Sequence, residues 1–241
     1  KNKTISHSYL FEGAEGIGKK RVAYAFSKTL LCLKGGLEAC NSCASCLKFE
    51  RYSHPDFFII EPEKEIIRIK QIEGLIEEMS TAPFESGRKV FIIDDSHKMN
   101  KESENALLKT LEEPPGFVII ILITSKPDSL LTTILSRVQT IKFFPLKVDK
   151  IANLLIDKYK KSEDEAYYIA EFSKGALGKS IRLAEDMDFF QRREEVLALI
   201  AALLKGDKSK IFSSTNFFKD NREHIDEILD IFTYWFRDLI I

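Results

Sequence analysis

The chain has 241 residues, of which 36 are basic and 37 acidic, so its formal net charge is −1. With 44% apolar and 30% charged residues it can bury a core, which excludes a disordered chain. The charge balance excludes a uniformly basic nucleic-acid-binding surface, although not a local patch. No apolar run approaches the roughly 20 residues that span a bilayer, and no signal peptide opens the chain, so we expect a cytoplasmic protein without membrane association. Because the first residue is Lys rather than Met, we expect a fragment of a longer chain.

Short apolar strands alternate with amphipathic helices through the first part of the chain, which predicts a parallel sheet with crossover helices. The predicted strands are Ser8–Phe11, Phe57–Ile60, Lys89–Asp94, Phe117–Thr124 and Thr140–Phe144, and the predicted helices are Lys19–Leu31, Ile69–Met79 and Asn100–Leu111. From Leu146 onward only helical periodicity remains. We therefore predict an α/β domain over residues 1–145, followed by all-α material that divides near Asp186–Phe189 into residues 146–188 and 189–241.

The four cysteines of the chain form one cluster, a C-x7-C-x2-C-x2-C pattern at Cys32, Cys40, Cys43 and Cys46. Two-residue spacings let neighbouring thiolates converge on one ion, and four sulfurs without a histidine suit a closed tetrahedral site. Two disulfides are the alternative, but they need an oxidising compartment and nothing in the sequence indicates secretion. We therefore predict a structural zinc ion, which metal analysis of protein purified without chelator tests.

A glycine-rich loop from Gly13 to Lys19 follows the first predicted strand and opens the first predicted helix, with G-x-x-x-x-G-K spacing. In such a loop Gly13, Gly16 and Gly18 let backbone N–H groups face a phosphate, and Lys19 reaches the terminal phosphates. The next residue should be Ser or Thr, whose hydroxyl binds Mg²⁺. Here it is Lys20, whose ammonium group has no lone pair for the metal and repels it. The sequence leaves ATP binding open and argues against Mg²⁺-dependent hydrolysis.

An acid pair, Asp94 and Asp95, ends the third predicted strand, in the position where P-loop ATPases hold Mg²⁺ and orient water. Asp94 could bind the metal. The second residue of such a pair orients the attacking water as a base and is more often Glu, and Asp95 is one methylene shorter. The alternative is that both carboxylates only end a strand before a turn. Combined with the glycine-rich loop, the pair favours a nucleotide site of ATPase origin with degraded catalytic parts.

Three further segments resemble the clamp-loader AAA+ family. Residues 105–115 resemble its signature helix, and the four-cysteine insertion is similar to that of the bacterial gamma/tau and delta-prime subunits. Leu135–Val138 resembles the Ser-Arg-Cys motif of those subunits, with Val138 replacing the Cys. The resemblance spans roughly residues 5–190 in the expected order and favours the delta-prime type, in which the P-loop is commonly decayed and the subunit does not hydrolyse ATP.

The resemblance implies a role for several residues. Arg137, with Ser136 beside it, would reach across a subunit boundary to a neighbour's ATP as an arginine finger in trans; otherwise it is a solvated arginine. Ser125 matches the sensor-1 position, where its hydroxyl would orient water or phosphate, or else only ends a strand. Gly178 matches the place of the sensor-2 arginine and has no side chain to offer.

The implied fold is an AAA+ module of α/β domain and small helical lid, followed by part of a helical collar domain. The implied function is a non-hydrolysing subunit of the DNA polymerase III clamp loader, within the DNA-directed DNA polymerase (nucleotidyltransferase) holoenzyme. Its partners would be the gamma/tau and delta subunits and, through the complex, the sliding clamp and primer–template DNA.

Two alternatives remain open. One is an active gamma/tau-type ATPase with an atypical P-loop, and the other is a zinc-dependent nucleic-acid-binding module. A nucleic-acid-binding module should have many basic or aromatic residues around the cysteines. Only Lys34, Lys48 and Phe49 lie close to them in the sequence.

Overall fold

The computed structural model describes residues 5–239, apart from the side chains of residues 208–213 and 238. The chain divides into two compact units, Lys1–Leu146 and Lys147–Ile241. No helix among the described residues is long and apolar enough to cross a membrane.

The first unit is built on a five-stranded parallel sheet. Its strands are β1 (Ser8–Glu12), β2 (Phe57–Ile60), β3 (Lys89–Ile93), β4 (Val118–Thr124) and β5 (Gln139–Lys142). Their order in the sheet is β2-β3-β4-β1-β5, and every neighbouring pair is parallel. The fully buried β3 and β4 read as continuous apolar runs because helices cover both faces of the sheet. The predicted α/β fold is confirmed, and all five predicted strands are present with ends shifted by at most two residues.

The described residues of this unit form five helices: α1 (Lys19–Leu31), α2 (Ala44–Glu50), α3 (Ile69–Ser80), α4 (Lys101–Glu112) and α5 (Thr132–Leu135). The three predicted helices are α1, α3 and α4. The sequence did not predict α2, which lies among the cysteines, or the single-turn α5. Single 3₁₀ turns also occur at Ser96–Lys98 and Pro127–Ser129.

The helices sandwich the sheet between two apolar clusters. On one face α3 and α4 bury side chains such as Ile72 and Leu107 against Phe91 of β3. On the other face α1 and α2 bury Ala23 and Phe49 against the opposite side of β3 and β4. This layering leaves the loops at the carboxyl ends of the strands to form the site.

The second unit is helical throughout its described part, as predicted. Its helices are α6 (Val148–Tyr159), α7 (Glu163–Phe172), α8 (Leu177–Glu185), α9 (Phe189–Lys205), α10 (Lys208–Asp220) and α11 (Ile225–Asp238), with a 3₁₀ turn at Arg222–His224. One apolar cluster includes Ile151 of α6, Phe172 of α7, Phe189 of α9 and Ile231 of α11. A separate lid and collar divided at residue 188 stays a prediction.

Candidate functional site

The predicted nucleotide-site residues follow three neighbouring strands. The loop Gly13–Gly18 follows β1, the acid pair follows β3, and Ser125 follows β4. Because β3, β4 and β1 are adjacent and parallel, these segments share the carboxyl edge of the sheet, where open α/β sheets bind ligands.

Two glycines of the loop hold positions that other residues would strain. A Cβ on Gly13 would lie 2.6 Å from the carbonyl oxygen of Phe143, so only glycine allows this close approach. Gly18 is the N-cap of α1 with a φ of 105°, a left-handed conformation that favours glycine. The sequence therefore encodes a sharp loop that delivers Lys19 and Lys20 as the first two residues of α1.

Lys19 is held inside the loop. Its Nζ donates to the carbonyl oxygens of Gly13 at 2.7 Å and Ala14 at 2.8 Å. Burial lowers the pKa of Lys19, against the opposing charges of Asp95 and Asp94. Binding a phosphate would require this ammonium group to exchange its two carbonyl partners for phosphate oxygens.

Lys20 forms ion pairs with two carboxylates. Its Nζ lies 2.9 Å from Oδ2 of Asp94 and also contacts Oε1 of Glu61, the residue after β2. Burial alone would lower the pKa of Lys20, but hydrogen bonds and charge from Glu61 and Asp94 outweigh it and raise the pKa above its usual value. The ammonium group is therefore permanently charged and already neutralises the carboxylate that was predicted to hold Mg²⁺.

The other two predicted residues at this edge differ in their contacts. Asp95 has a left-handed φ of 46°, and its carboxylate lies 3.3 Å from Nζ of Lys98. Lys98 is thus the cation that this carboxylate contacts directly, while its charge also acts on Lys19. Ser125 is partly buried, and its hydroxyl makes no hydrogen bond with a described residue.

Arg137 lies after α5 and is held by acceptors of its own chain. Its Nη1 donates to the carbonyl oxygen of Thr133 at 2.9 Å and to Oγ of Ser136 at 3.1 Å. Its Nη2 lies 2.6 Å from Oε1 of Glu112, the last residue of α4. The side chain keeps 34% of its surface exposed, so a charged partner can reach it from solvent. Ser136 therefore contacts Arg137 directly.

The four cysteines come together at the end of α1 and the start of α2. Their sulfurs all lie within 4.8 Å of one another, with Cys32 4.0 Å from Cys43 and Cys40 3.9 Å from Cys46. All four thiols are free. Four sulfurs each about 2.3 Å from a tetrahedral ion would be about 3.8 Å apart, so the donors fit zinc in number, type and spacing.

Backbone N–H groups surround these sulfurs. The amides of Cys40, Cys43 and Cys46 lie 3.3–3.5 Å from sulfurs of preceding cysteines in the cluster. Hydrogen bonds from the amide and hydroxyl of Ser42 lower the pKa of the Cys40 thiol, while burial raises that of Cys46. Such donors stabilise thiolates, the form in which cysteine binds a metal.

A buried polar network joins the cysteine segment to the sheet. The ring of His54 accepts at Nδ1 from the Asp56 amide (3.1 Å), so in the neutral ring Nε2 carries the proton and faces Oγ of Ser45 at 2.9 Å. Ser45 in turn donates to the carbonyl oxygen of Leu31, at the end of α1, at 2.7 Å. The carboxylate of Asp56 accepts three amides of the loop at residues 84–86 at 2.6–3.0 Å.

Gly178 lies in the first turn of α8, in the second compact unit. The helix offers no side chain there, as predicted. Its first basic residue after Lys179 is Arg182.

Sequence reasoning missed the acidic partners of the two central cations, Glu61 for Lys20 and Glu112 for Arg137. Glu61 could have been found because it directly follows the predicted strand β2, whose end lies beside that of β3. Glu112 lies within the quoted signature segment, but its pairing depends on how α5 packs on α4. Sequence reasoning also missed the His54–Asp56 network, for which no short motif exists.

The sequence of the chain is similar to those of known proteins. A family profile described as "DNA polymerase III, delta subunit" matches residues 1–147. The DNA polymerase III subunit delta' of Bacillus subtilis is 35% identical over 240 residues, which is 98% of this chain and 72% of that protein. The gamma/tau subunit of Mycoplasma genitalium is 30% identical over 98% of this chain, which spans only 42% of that longer relative.

Among solved structures, a RuvB variant of Thermotoga maritima superposes with a TM-score of 0.50 and 17% identity, over 82% of this chain and 57% of that one. At this identity the likeness concerns the fold alone. Together with the strand order and the strand–loop–helix at Gly13–Lys19, it assigns the chain to the AAA+-like class of folds.

Within that class, the profile match and the delta' relative settle the family. The chain belongs to the delta' family of DNA polymerase III clamp-loader subunits.

Proposed function

We propose that this chain is a non-hydrolysing clamp-loader subunit that completes the ATP site of a neighbouring gamma/tau-type subunit with Arg137. In this role it provides a fixed surface of the loader and the guanidinium of Arg137 for the neighbouring subunit, and it does not hydrolyse ATP itself. The delta' and gamma/tau relatives, all subunits of DNA polymerase III, support this assignment.

The observation that carries the proposal is the position of Lys20. Its ammonium group lies 2.9 Å from Asp94, the carboxylate that would otherwise bind Mg²⁺. A metal ion there would face a fixed positive charge and one ligand fewer. Loss of the metal removes the main stabiliser of the phosphoryl group, so the chain's own loop is not expected to support hydrolysis.

Arg137 supplies the complementary part. It is one-third exposed, it lies at the end of a helical turn, and its guanidinium carries a permanent planar charge suited to a phosphoryl group. A subunit that has degraded its own metal site while keeping this arginine is suited to act on a neighbour's nucleotide.

The proposal includes a structural zinc ion bound by Cys32, Cys40, Cys43 and Cys46, with no open position and no part in chemistry. It also includes the delta subunit, the sliding clamp and primer–template DNA as partners within the complex, and a cytoplasmic location shared with the bacterial replication machinery.

The proposal is tested by measuring ATP turnover in three samples. They contain this chain alone, the gamma/tau-type subunit alone, and both together with the delta subunit. We expect no turnover by this chain and stimulation in the complete mixture. Arg137→Ala should remove most of that stimulation, because a finger arginine stabilises charge in the transition state.

Arg51→Ala is the matched control, since Arg51 is exposed and forms no ion pair with a described residue. Turnover by the isolated chain at a rate typical of AAA+ motors would overturn the proposal in favour of an active gamma/tau-type ATPase. Equal stimulation by the wild-type and Arg137→Ala chains would refute the role of Arg137.

A further inference from the structure

The guanidinium of Arg137 is held on two sides. Thr133 and Ser136, from the turn that precedes it, accept hydrogen bonds from Nη1. Glu112, from a different element, lies 2.6 Å from Nη2. The carbonyl oxygen of Thr133 and the hydroxyl of Ser136 fix one edge of the group, and Glu112 fixes the direction of the other.

The element that carries Glu112 also fixes the turn that carries Arg137. Near the start of α4, the buried carboxylate of Glu104 accepts the amide of Leu131, the N-cap of α5, at 3.2 Å. Between these ends, the fully buried Ile134 of α5 packs in the same apolar cluster as Leu107 of α4. The helix α4 therefore holds α5 near its start, along its buried face and at the arginine that follows it.

The pair of Arg137 and Glu112 is strong enough to orient the side chain and weak enough to release it. Side-chain exposures of 34% and 50% place the pair in water, where such contacts contribute little to stability. A free arginine loses rotamer entropy when it is fixed, and a partner that limits its rotamers beforehand reduces that loss. The several charges of a triphosphate can then compete successfully for the guanidinium.

We propose that Glu112 is a positioning residue, which orients Arg137 toward the neighbour's nucleotide from the last turn of α4. This inference rests on the proposed function of Arg137 in trans. Glu112 itself touches no nucleotide in this role. Its effect passes entirely through the arginine.

The test measures ATP turnover of the gamma/tau-type subunit in the complete complex with wild-type chain, Glu112→Ala, Glu112→Gln, Arg137→Ala and the double variant. We expect Glu112→Ala to lower kcat about twofold to fivefold, the factor that an exposed ion pair contributes, with KM for ATP unchanged. Glu112→Gln should lie between wild type and Glu112→Ala, because it keeps an acceptor but loses the charge. In the Arg137→Ala background, Glu112→Ala should change nothing further.

Glu113→Ala is the matched control, since Glu113 is the next residue, is exposed and pairs with no described cation. Unchanged kcat in Glu112→Ala, while Arg137→Ala still removes the stimulation, overturns the positioning role and leaves the proposed function intact. An equal loss from Glu112→Ala in both backgrounds also overturns it, because the effect would not pass through Arg137. If Arg137→Ala itself has no effect, the proposed function fails first.

Discussion

The ammonium nitrogen of Lys20 lies 2.9 Å from Oδ2 of Asp94, which joins the first turn of α1 to the end of β3. Glu61, after β2, contacts the same nitrogen. A side chain of the protein thus supplies the positive charge that a nucleotide site of this class takes from a metal ion. Replacing this lysine should reveal what the remaining residues can bind.

Lys20→Thr should restore binding of Mg²⁺ and nucleotide, because it removes the cation, frees Asp94 and returns a hydroxyl to the metal-ligand position. We expect at least about a tenfold gain in ATP affinity that disappears when EDTA removes the metal, equal to about 1.4 kcal/mol. Titration calorimetry with and without Mg²⁺ measures it.

Lys28→Thr is the control for this variant, because Lys28 is another ion-paired lysine of α1, bonded to Glu50. It should leave nucleotide affinity unchanged. If Lys20→Thr binds Mg²⁺·ATP no better than wild type, then Lys20 is not what weakens the site.

Removal of the metal should loosen the cysteine segment first. We expect one zinc ion per chain in protein purified without chelator, and loss of that ion in Cys43→Ser. Because the bonds to the metal contribute to the folding of such sites, amide hydrogen exchange should increase over residues 32–50 in this variant. The exchange of β3 and β4 should change much less, since their other face packs against α3 and α4, away from the cysteines.

Glu38→Ala serves as the control, since Glu38 is an exposed residue between Cys32 and Cys40 that offers no sulfur ligand. It should retain the zinc ion. Protein without metal and with two oxidised cysteine pairs would refute the zinc site.

Stability should fall as pH drops below about 6.5, because burial lowers the pKa of His54 from its usual 6.5. Nearby Glu85 and Asp56 oppose this shift without reversing it. The unfolded chain therefore binds a proton at His54 more readily than the folded one. The free energy of unfolding thus rises with pH across this range, and the contribution of His54 is lost on acidification. The structural reason is that Nδ1 already accepts an amide and cannot also carry a proton.

Urea unfolding at pH 7.5 and 5.5, in saturating zinc, measures this dependence. His54→Gln should lose this part of the pH dependence and cost about 1–3 kcal/mol at pH 7.5, since it disrupts buried hydrogen bonds. His7→Gln, at an exposed histidine before β1, should keep the wild-type slope. An unchanged slope in His54→Gln would contradict the assignment.

Arg192 should be the most sensitive ionic position of the helical unit. It is 6% exposed and pairs with Asp186, before α9, and with Glu227 of α11. Arg192→Ala leaves two carboxylates without their cation, which should cost about 3–5 kcal/mol in the free energy of unfolding. Urea unfolding measures the loss, and the exposed Arg222→Ala should stay within about 0.5 kcal/mol of wild type.

Local patterns predicted the elements well, and long-range pairings much less so. The strand β3 and its acid pair were predictable because a continuous apolar run followed by carboxylates is a local signal. Helix α2 was not, because seven residues that include Cys46 read equally well as a turn between metal ligands. The strand order that places Glu61 beside Lys20 depends on contacts 41 residues apart, which a local pattern does not encode.

The same limit applies to the arginine. The motif pointed to Arg137 as a functional residue but did not predict the short helix α5 that precedes it. Its partner Glu112 could not be assigned from spacing. The strand β4 lies between α4 and α5 in the chain, so their contact depends on the tertiary fold.

The hydroxyl of Ser45, bonded to the carbonyl oxygen of Leu31, anchors the cysteine insertion to the last residue of α1. The other end of that helix begins in the glycine-rich loop, about 20 Å away for 13 residues. Helix α1 thus connects the glycine-rich loop at its first turn to the cysteine insertion at its last residue. We therefore expect a displacement of the insertion to shift the glycine-rich loop as well, because one helix joins the two features.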